Sequence, residues 1–463
     1  MNDWIPNLSG SDRPRYLALV DCIAYDIQSG RLSAGDRLPA QRKLAGQLGL
    51  DFTTVARGYV EAQRRGLVVS KGSQGTYVLG STPVSVAQSP ARLSPARPVD
   101  LMMNLPPEPD DPALIGRMQS ALEGVSRDLI PLLRYQGFGG SPADKEVASF
   151  WLGRRSLAPE TERIYITPGA HPALLGIMRI VAKTGDVVLS DQLTFPGVRS
   201  ITAQLGLSLV GLPGDAEGLE PDALDKACAQ LQPKLLYLNP TLQNPTTTTI
   251  SLRRRHAIAE IARRWRLSII EDDAYGFIPV NAPTPIAAIA PELTWYVAAL
   301  AKCLGAGLRA AYVVAPDVQS GWALAQVLRC LTAMASPITV AIANRWIQDG
   351  TADAILRFVR GEAEARQAIA RQTLPADGLK TDPAGFHAWL ELPEGWTRST
   401  FAGHMRGTGL GVVPSDAFAT GGVPPEAVRI CLGGPISRTE VQRALEFAAH
   451  ALKEQPAIAT PYL

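Results

Sequence analysis

The sequence predicts an α/β chain in two parts: a small helical head and a large body built on buried strands. Three observations lead there. Downstream of residue 100, apolar runs of strand length end in polar residues: Leu235–Leu238 in Asn239, Ile269–Ile270 in Glu271-Asp272-Asp273, and Trp295–Leu300 near Lys302. Upstream of residue 80, the apolar spacing is helical and a short hairpin follows. Between them, residues 80–98 carry Pro83, Pro90, Pro95 and Pro98, a polar, semi-extended spacer.

The strand ends of the body carry chemistry. Open α/β sheets bind ligands outside the carboxyl ends of their strands. A lysine that ends a buried strand must be desolvated; one kept there often has a lowered pKa and can form a Schiff base. Lys302 stands so, and the Gly-rich turn after it brings Arg309 close, with a fork suited to phosphate oxygens. The strand before Glu271-Asp272-Asp273-Ala274-Tyr275 runs into carboxylates and a phenol. A carboxylate against a pyridine nitrogen keeps that nitrogen protonated, so that the ring draws in electrons. A third strand runs into Asn239-Pro240-Thr241-Leu242-Gln243-Asn244, where Asn244 can donate a hydrogen bond. Taken singly, each signal has a commoner meaning: a snorkelling lysine, a solvated acidic turn, a core Phe195, a helix-start His171. The ordered set is what is specific.

Residues 100–463 thereby resemble the fold-type I pyridoxal-phosphate aminotransferases. The resemblance implies a mixed, mostly parallel sheet with a smaller C-terminal α+β subdomain. It makes Lys302 the Schiff-base lysine, Asp272 the partner of the pyridine nitrogen, and Tyr275 and Asn244 the pair on the ring hydroxyl. Arg309 and the turn Gly169-Ala170-His171 would hold the phosphate, using backbone N–H groups and a helix start. Phe195 would stack on the ring, Tyr135 would reach the partner subunit's phosphate, and Arg429 would grip a ligand carboxylate. The family usually has two serines before the lysine, where this chain has Ala299 and Ala301. Asp144-Lys145 replaces a usual Leu-Arg, and Ala306 a common proline.

The head reads as three helices and a hairpin. Tyr16, Val20, Ile23 and Ile27 share one helical face, which stops at Ser29-Gly30. A second helix starts just after Pro39 and ends at Leu48-Gly49-Leu50. Asp51 or Thr53 caps a third, running to Arg65-Gly66. Two short helices joined by a glycine turn form a helix-turn-helix. Leu67–Ser70 and Gly75–Val78 flank residues 71–74 as a wing. This block resembles the winged helix-turn-helix of the GntR regulators. By that match Arg42, Thr53, Thr54, Arg57 and Gly75 meet DNA, the third helix entering the major groove. Residues 1–80 hold ten Lys and Arg against seven acidic residues, a modest basic excess.

A GntR-type head on an aminotransferase-like body is the arrangement of the MocR regulators. The resemblance implies a winged helix-turn-helix domain over 11–79, a linker over 80–98 and a pyridoxal-phosphate-binding effector domain over 99–463. It implies a bacterial transcription factor that binds double-stranded operator DNA as a head-to-tail homodimer. The effector would be an amino acid, an amine or pyridoxal phosphate itself, sensed by aldimine exchange at Lys302. An active aminotransferase with an appended DNA-binding head is the alternative, and a body that only dimerises is a third reading. Net charge is +2, so any nucleic-acid surface is local. Five scattered cysteines, none in metal spacing, point to a reducing cytoplasm. No signal peptide or bilayer-length apolar run is expected.

Overall fold

The computed structural model describes residues 4–6, 8, 14–33, 35–65, 67–70, 75–79, 102–406 and 408–453. The expected linker 80–98 and the wing residues 71–74 lie outside them, as do the expected domain limits at 11, 99 and 463. The chain divides into two compact units, Met1–Pro98 and Val99–Leu463.

In the first unit, α1 (Arg15–Gln28), α2 (Gln41–Leu48) and α3 (Phe52–Arg64) pack around Leu19, Ile23, Leu44, Val55 and Tyr59. The helical spacing of apolar residues puts these on facing stripes. Gly49 ends α2 at φ +64°, a left-handed cap that suits glycine. Of the two candidate caps for α3, Asp51 serves: its carboxylate accepts from the backbone N–H of Thr53 at 2.7 Å. The wing strands β1 (Val68–Ser70) and β2 (Thr76–Val78) pair antiparallel, Val69 opposite Tyr77. Tyr59 locks the helices together by donating its hydroxyl to the carbonyl of Pro39 at 2.8 Å.

The second unit is built on a seven-stranded sheet. Its strands are β3 (Ile164–Thr167), β4 (Val187–Asp191), β5 (Ser208–Leu212), β8 (Leu235–Leu238), β9 (Ser268–Asp272), β10 (Thr294–Ala299) and β11 (Ala311–Val314). A small hairpin, β6 (Gly214–Asp215) and β7 (Gly218–Leu219), stands apart. The sheet order is β3-β11-β10-β9-β8-β4-β5. β11 runs antiparallel to both β3 and β10, and the other pairings are parallel. Six strands therefore point one way, and their carboxyl ends share an edge with the start of β11. Apolar residues clothe both faces: Val188, Tyr237, Ile270 and Val297 pack on one cluster, Leu236, Leu238 and Ile269 on another. Near-continuous apolar runs are what a sheet buried on both faces requires.

A smaller subdomain follows the long helix Thr351–Thr373. Its strands β12 (Leu379–Lys380), β13 (His387–Glu391), β14 (Gly411–Pro414) and β15 (Ala427–Cys431) form an antiparallel sheet in the order β12-β13-β15-β14. The helix Arg438–Ala451 covers one face through Val441, Leu445 and Ala448. The registers place His387 opposite Cys431, and Trp389 opposite Arg429.

Candidate functional site

Four parallel strands of the main sheet deliver the candidate residues to one place. β9 ends at Asp272, β8 runs into Asn239–Asn244, the turn after β10 carries Lys302, and β3 runs into Gly169. At the head of β11, Arg309 takes φ +47° and lies against Gly169: a Cβ added there would come 3.0 Å from its Nη2. A cavity of about 150 Å³ is lined by Lys302, Asp272, Tyr275, Asn244, Arg309, Phe195, Gly169, Ala170 and His171, with Met103 and Leu105 closing it. Ala299 and Ala301 line it too, so no hydroxyl replaces the absent serines at those two positions.

The electrostatics follow from burial. Lys302 is held down to about 8, first by desolvation and then by the charge of Arg429. Its Nζ donates to the backbone carbonyl of Asn104 at 2.6 Å. Asp272 is pushed up to about 6 by burial, against the hydrogen bond from the Tyr237 hydroxyl at 2.8 Å. Its other oxygen, Oδ1, is buried without a partner. Glu271, Asp272 and Asp273 are 0%, 5% and 0% exposed, which rules out the solvated-turn reading of that triplet. Glu271 pairs with Arg255 at 3.2 Å, and Asp273 with Arg155 at 2.9 Å. Each of those two neighbours is held by a buried arginine, and of the three carboxylates only Asp272 lines the cavity.

Beside Arg309, Gly169 precedes the helix Ala170–Val181, whose first N–H groups have no partner within the helix. Gly169 holds φ +96°, where a side chain would meet Arg309. His171 stands edge-on to Phe195 at 5.3 Å, and burial and Arg309 lower its pKa. Arg429 sits outside the cavity lining but donates Nη1 to Asn244 Oδ1 at 2.7 Å, leaving Nδ2 as the remaining donor of Asn244. Its Nη2 donates to the carbonyl of Met102, and its Nε is buried without a partner. Tyr135, 86% exposed, is not part of the cavity lining.

This donor set fits pyridoxal phosphate: a partnerless carboxylate oxygen, a depressed lysine, and an arginine beside a glycine-led helix start. Sequence reasoning missed Asn104 and the roles of Tyr237 and Asn239. Tyr237 and Asn239 lie at the polar end of β8, where alternation along the strand is the available signal. Nothing local marks Asn104, whose partner Tyr275 is 171 residues away.

In the first unit, Thr53 and Thr54 occupy the first turn of α3, Thr53 exposed and Thr54 half-buried. Arg42 and Arg57 are both exposed. The guanidinium of Arg57 lies 4.6 Å from the ring centre of Tyr16, and that of Arg42 lies 5.7 Å from Phe52. Gly75 has φ +111°, and a Cβ there would come 2.7 Å from Arg37 Nε.

Residues 108–447 match the model of the aminotransferase class I and II family. The chain belongs to that family. Residues 15–78 match the bacterial regulatory proteins of the gntR family. One relative is the uncharacterized HTH-type transcriptional regulator YdeF of Bacillus subtilis, 26% identical over 443 residues, 96% of this chain and 95% of its own. The vitamin B6 salvage pathway transcriptional repressor PtsJ of Salmonella typhimurium is 27% identical over 419 residues, 89% of this chain and 93% of its own. The crystal structure of an archaeal alanine:glyoxylate aminotransferase is similar at TM-score 0.69 and 27% identity, over 76% of this chain and 89% of that one. A GntR-type head on an aminotransferase class I and II body is the organisation of the MocR-type transcriptional regulators. The body has the fold of the pyridoxal-phosphate-dependent aminotransferases, and the head is a DNA-binding helix-turn-helix. No helix among the described residues is long and apolar enough to cross a membrane.

Proposed function

We propose that the chain binds pyridoxal phosphate at Lys302 and reads a small amine or amino acid there, changing how its head engages operator DNA. The observation that carries the reading is one cavity lined by Lys302, Asp272, Tyr275, Asn244 and Arg309, on a chain that also carries a GntR-type head. When bound, pyridoxal phosphate supplies an electrophilic carbon and an electron-withdrawing ring. Lys302, depressed to about 8, presents a neutral amine in a usable fraction near neutrality. Asp272 offers its partnerless oxygen to the ring nitrogen, and Tyr275 and Asn244 flank the ring hydroxyl. Arg309 and the N–H groups of Ala170 and His171 would hold the phosphate, with Gly169, whose own N–H donates to the Thr167 carbonyl at 2.7 Å, making the turn and Phe195 against the ring. Arg429 orients a ligand carboxylate.

The proposed assembly is a head-to-tail homodimer in the cytoplasm, in which Tyr135 completes the partner's phosphate site; its 86% exposure leaves it free to do so. On the first unit, Arg42, Thr53, Thr54, Arg57 and Gly75 form the DNA-contacting surface. PtsJ is named a repressor of vitamin B6 salvage, which supports pyridoxal phosphate itself as a second effector candidate. The competing reading is a working aminotransferase with an appended head, favoured by the complete set of lysine, aspartate and arginine.

The test selects duplexes from a random pool with the full chain, then measures binding with and without pyridoxal phosphate and an amino-acid panel. A transamination assay runs beside it. A ligand-dependent change in DNA binding without fast turnover is expected. Fast multiple turnover with no ligand effect on DNA would overturn the regulator reading.

A further inference from the structure

The segment Met102–Leu105 precedes every strand of the body, yet three functional groups of the site bond to it. Lys302 Nζ donates to the backbone carbonyl of Asn104 at 2.6 Å. Asn104 Nδ2 donates to the hydroxyl oxygen of Tyr275 at 2.8 Å. Arg429 donates to the carbonyl of Met102. Asn104 is 2% exposed, and its Oδ1 has no partner.

A fourth group fixes the amide. Asn104 Nδ2 lies 3.2 Å from Nδ1 of His387, on β13 of the small subdomain. An amide nitrogen only donates, so Nδ1 accepts and the ring proton sits on Nε2. There it faces the carbonyl of Gln243, 3.2 Å away. Burial and the charges of Arg429 and Lys302 hold His387 far down, to about 3, so the ring is neutral and keeps this tautomer. The same ring lies 5.6 Å from that of Tyr275.

We propose that Asn104 is a positioning residue for the Lys302 site. Its side chain is anchored between Tyr275 and the neutral ring of His387, and this holds its backbone carbonyl against the lysine amine. The physical consequence is specific. A carbonyl held at that distance favours the ammonium, partly offsetting the desolvation that lowers it. The amide N–H favours the charged form of the Tyr275 phenol against the burial that pushes it up to about 12. One residue thus biases two groups in the cavity, and it does so from a segment without strand or helix of its own. The inference rests on Lys302 being the reactive amine of the proposed function.

The experiment uses the full chain freed of cofactor, with acetic anhydride as probe and mass spectrometry of the Lys302 peptide as readout across pH. The wild-type rate should rise through a midpoint near 8. In Asn104→Ala the carbonyl loses its side-chain anchors, and the midpoint should fall by about one pH unit. His387→Phe removes the acceptor without touching Asn104, and should shift the midpoint the same way by less. Circular dichroism checks that each variant is folded; if Asn104→Ala is not, Asn104→Ser carries the same expectation. An unchanged midpoint in the folded Asn104 variant would overturn the proposal. The labelling needs neither cofactor nor DNA, so a chain that fails to bind pyridoxal phosphate sinks the functional reading while leaving this shift to be measured.

Discussion

The hydroxyl of Tyr237 donates to Oδ2 of Asp272 at 2.8 Å, and Oδ1 of the same carboxylate is buried with no partner. A buried carboxylate oxygen left unpaired is costly. A protonated ring nitrogen is the kind of partner that would relieve it. The adjacent Asp273 also leaves Oδ1 unpaired, but it does not line the cavity, and its Oδ2 accepts from Arg155 Nε at 2.9 Å and from the hydroxyl of Tyr296 at 2.7 Å.

The two aspartates should therefore fail differently. Asp272→Ala should keep its fold and lose about tenfold or more in pyridoxal-phosphate affinity, the worth of one charge-assisted bond. Asp273→Ala strands the buried Arg155 and should cost about 3–5 kcal/mol of stability. Absorbance titration and urea unfolding of both variants distinguish the outcomes. Equal losses of cofactor affinity would undo the assignment.

Lys302 should dominate cofactor attachment. The loaded protein should be yellow, and borohydride should fix the adduct on the Lys302 peptide, read by mass spectrometry. An adduct on another lysine would displace the site.

The same lysine should leave a mark on stability. Its folded pKa, about 8, lies below the ordinary 10.5, so between those values the unfolded chain holds more protons. Stability contributed by this group therefore rises with pH across that window. Lys302→Met should flatten the rise, measured by urea unfolding of the cofactor-free chain from pH 8 to 10.5. An unaltered slope would place the lysine in a more solvated setting.

On the head, Arg42→Ala and Arg57→Ala should weaken duplex binding while the body keeps its cofactor. A bidentate base contact would make the loss about 1–3 kcal/mol and relax specificity at one position. A phosphate contact would weaken all sequences and shrink the salt slope. Because Arg57 stacks on Tyr16, Tyr16→Ala should weaken binding in the same direction by less. Mobility shifts at several salt concentrations read all three variants. Unchanged affinity throughout would mean that the DNA face lies elsewhere.

Arg429→Ala should keep the yellow cofactor and basal DNA affinity yet lose the response to amino acids, since the guanidinium is the one group assigned to their carboxylate. Operator binding with and without ligand tests this. A retained response would move the ligand carboxylate to another residue.

Much of this was legible in the chain. Strand-length apolar runs ending in polar residues located β8, β9 and β10, and with them Asn239, Asp272 and the lysine beyond Ala299. Period 3.6 spacing and glycine stops located the three helices of the head. These are local signals, because secondary-structure period and turn chemistry act over a few residues. The Gly-rich turn after Lys302 already marked Arg309; family resemblance added the expected roles of His171 and Arg429, which no local pattern assigns.

What only the tertiary structure decided is which neighbour faces which. The triplet Glu271-Asp272-Asp273 looks uniform in sequence, yet alternation along the strand and the distant arginines Arg255 and Arg155 claim its outer members. Asn104 carries no sequence mark at all. It becomes part of the site because the fold carries it across 171 residues to Tyr275 and 283 residues to His387. Burial likewise sets the protonation of Lys302, Asp272 and His387, and burial is a property of packed elements rather than of any short stretch of chain.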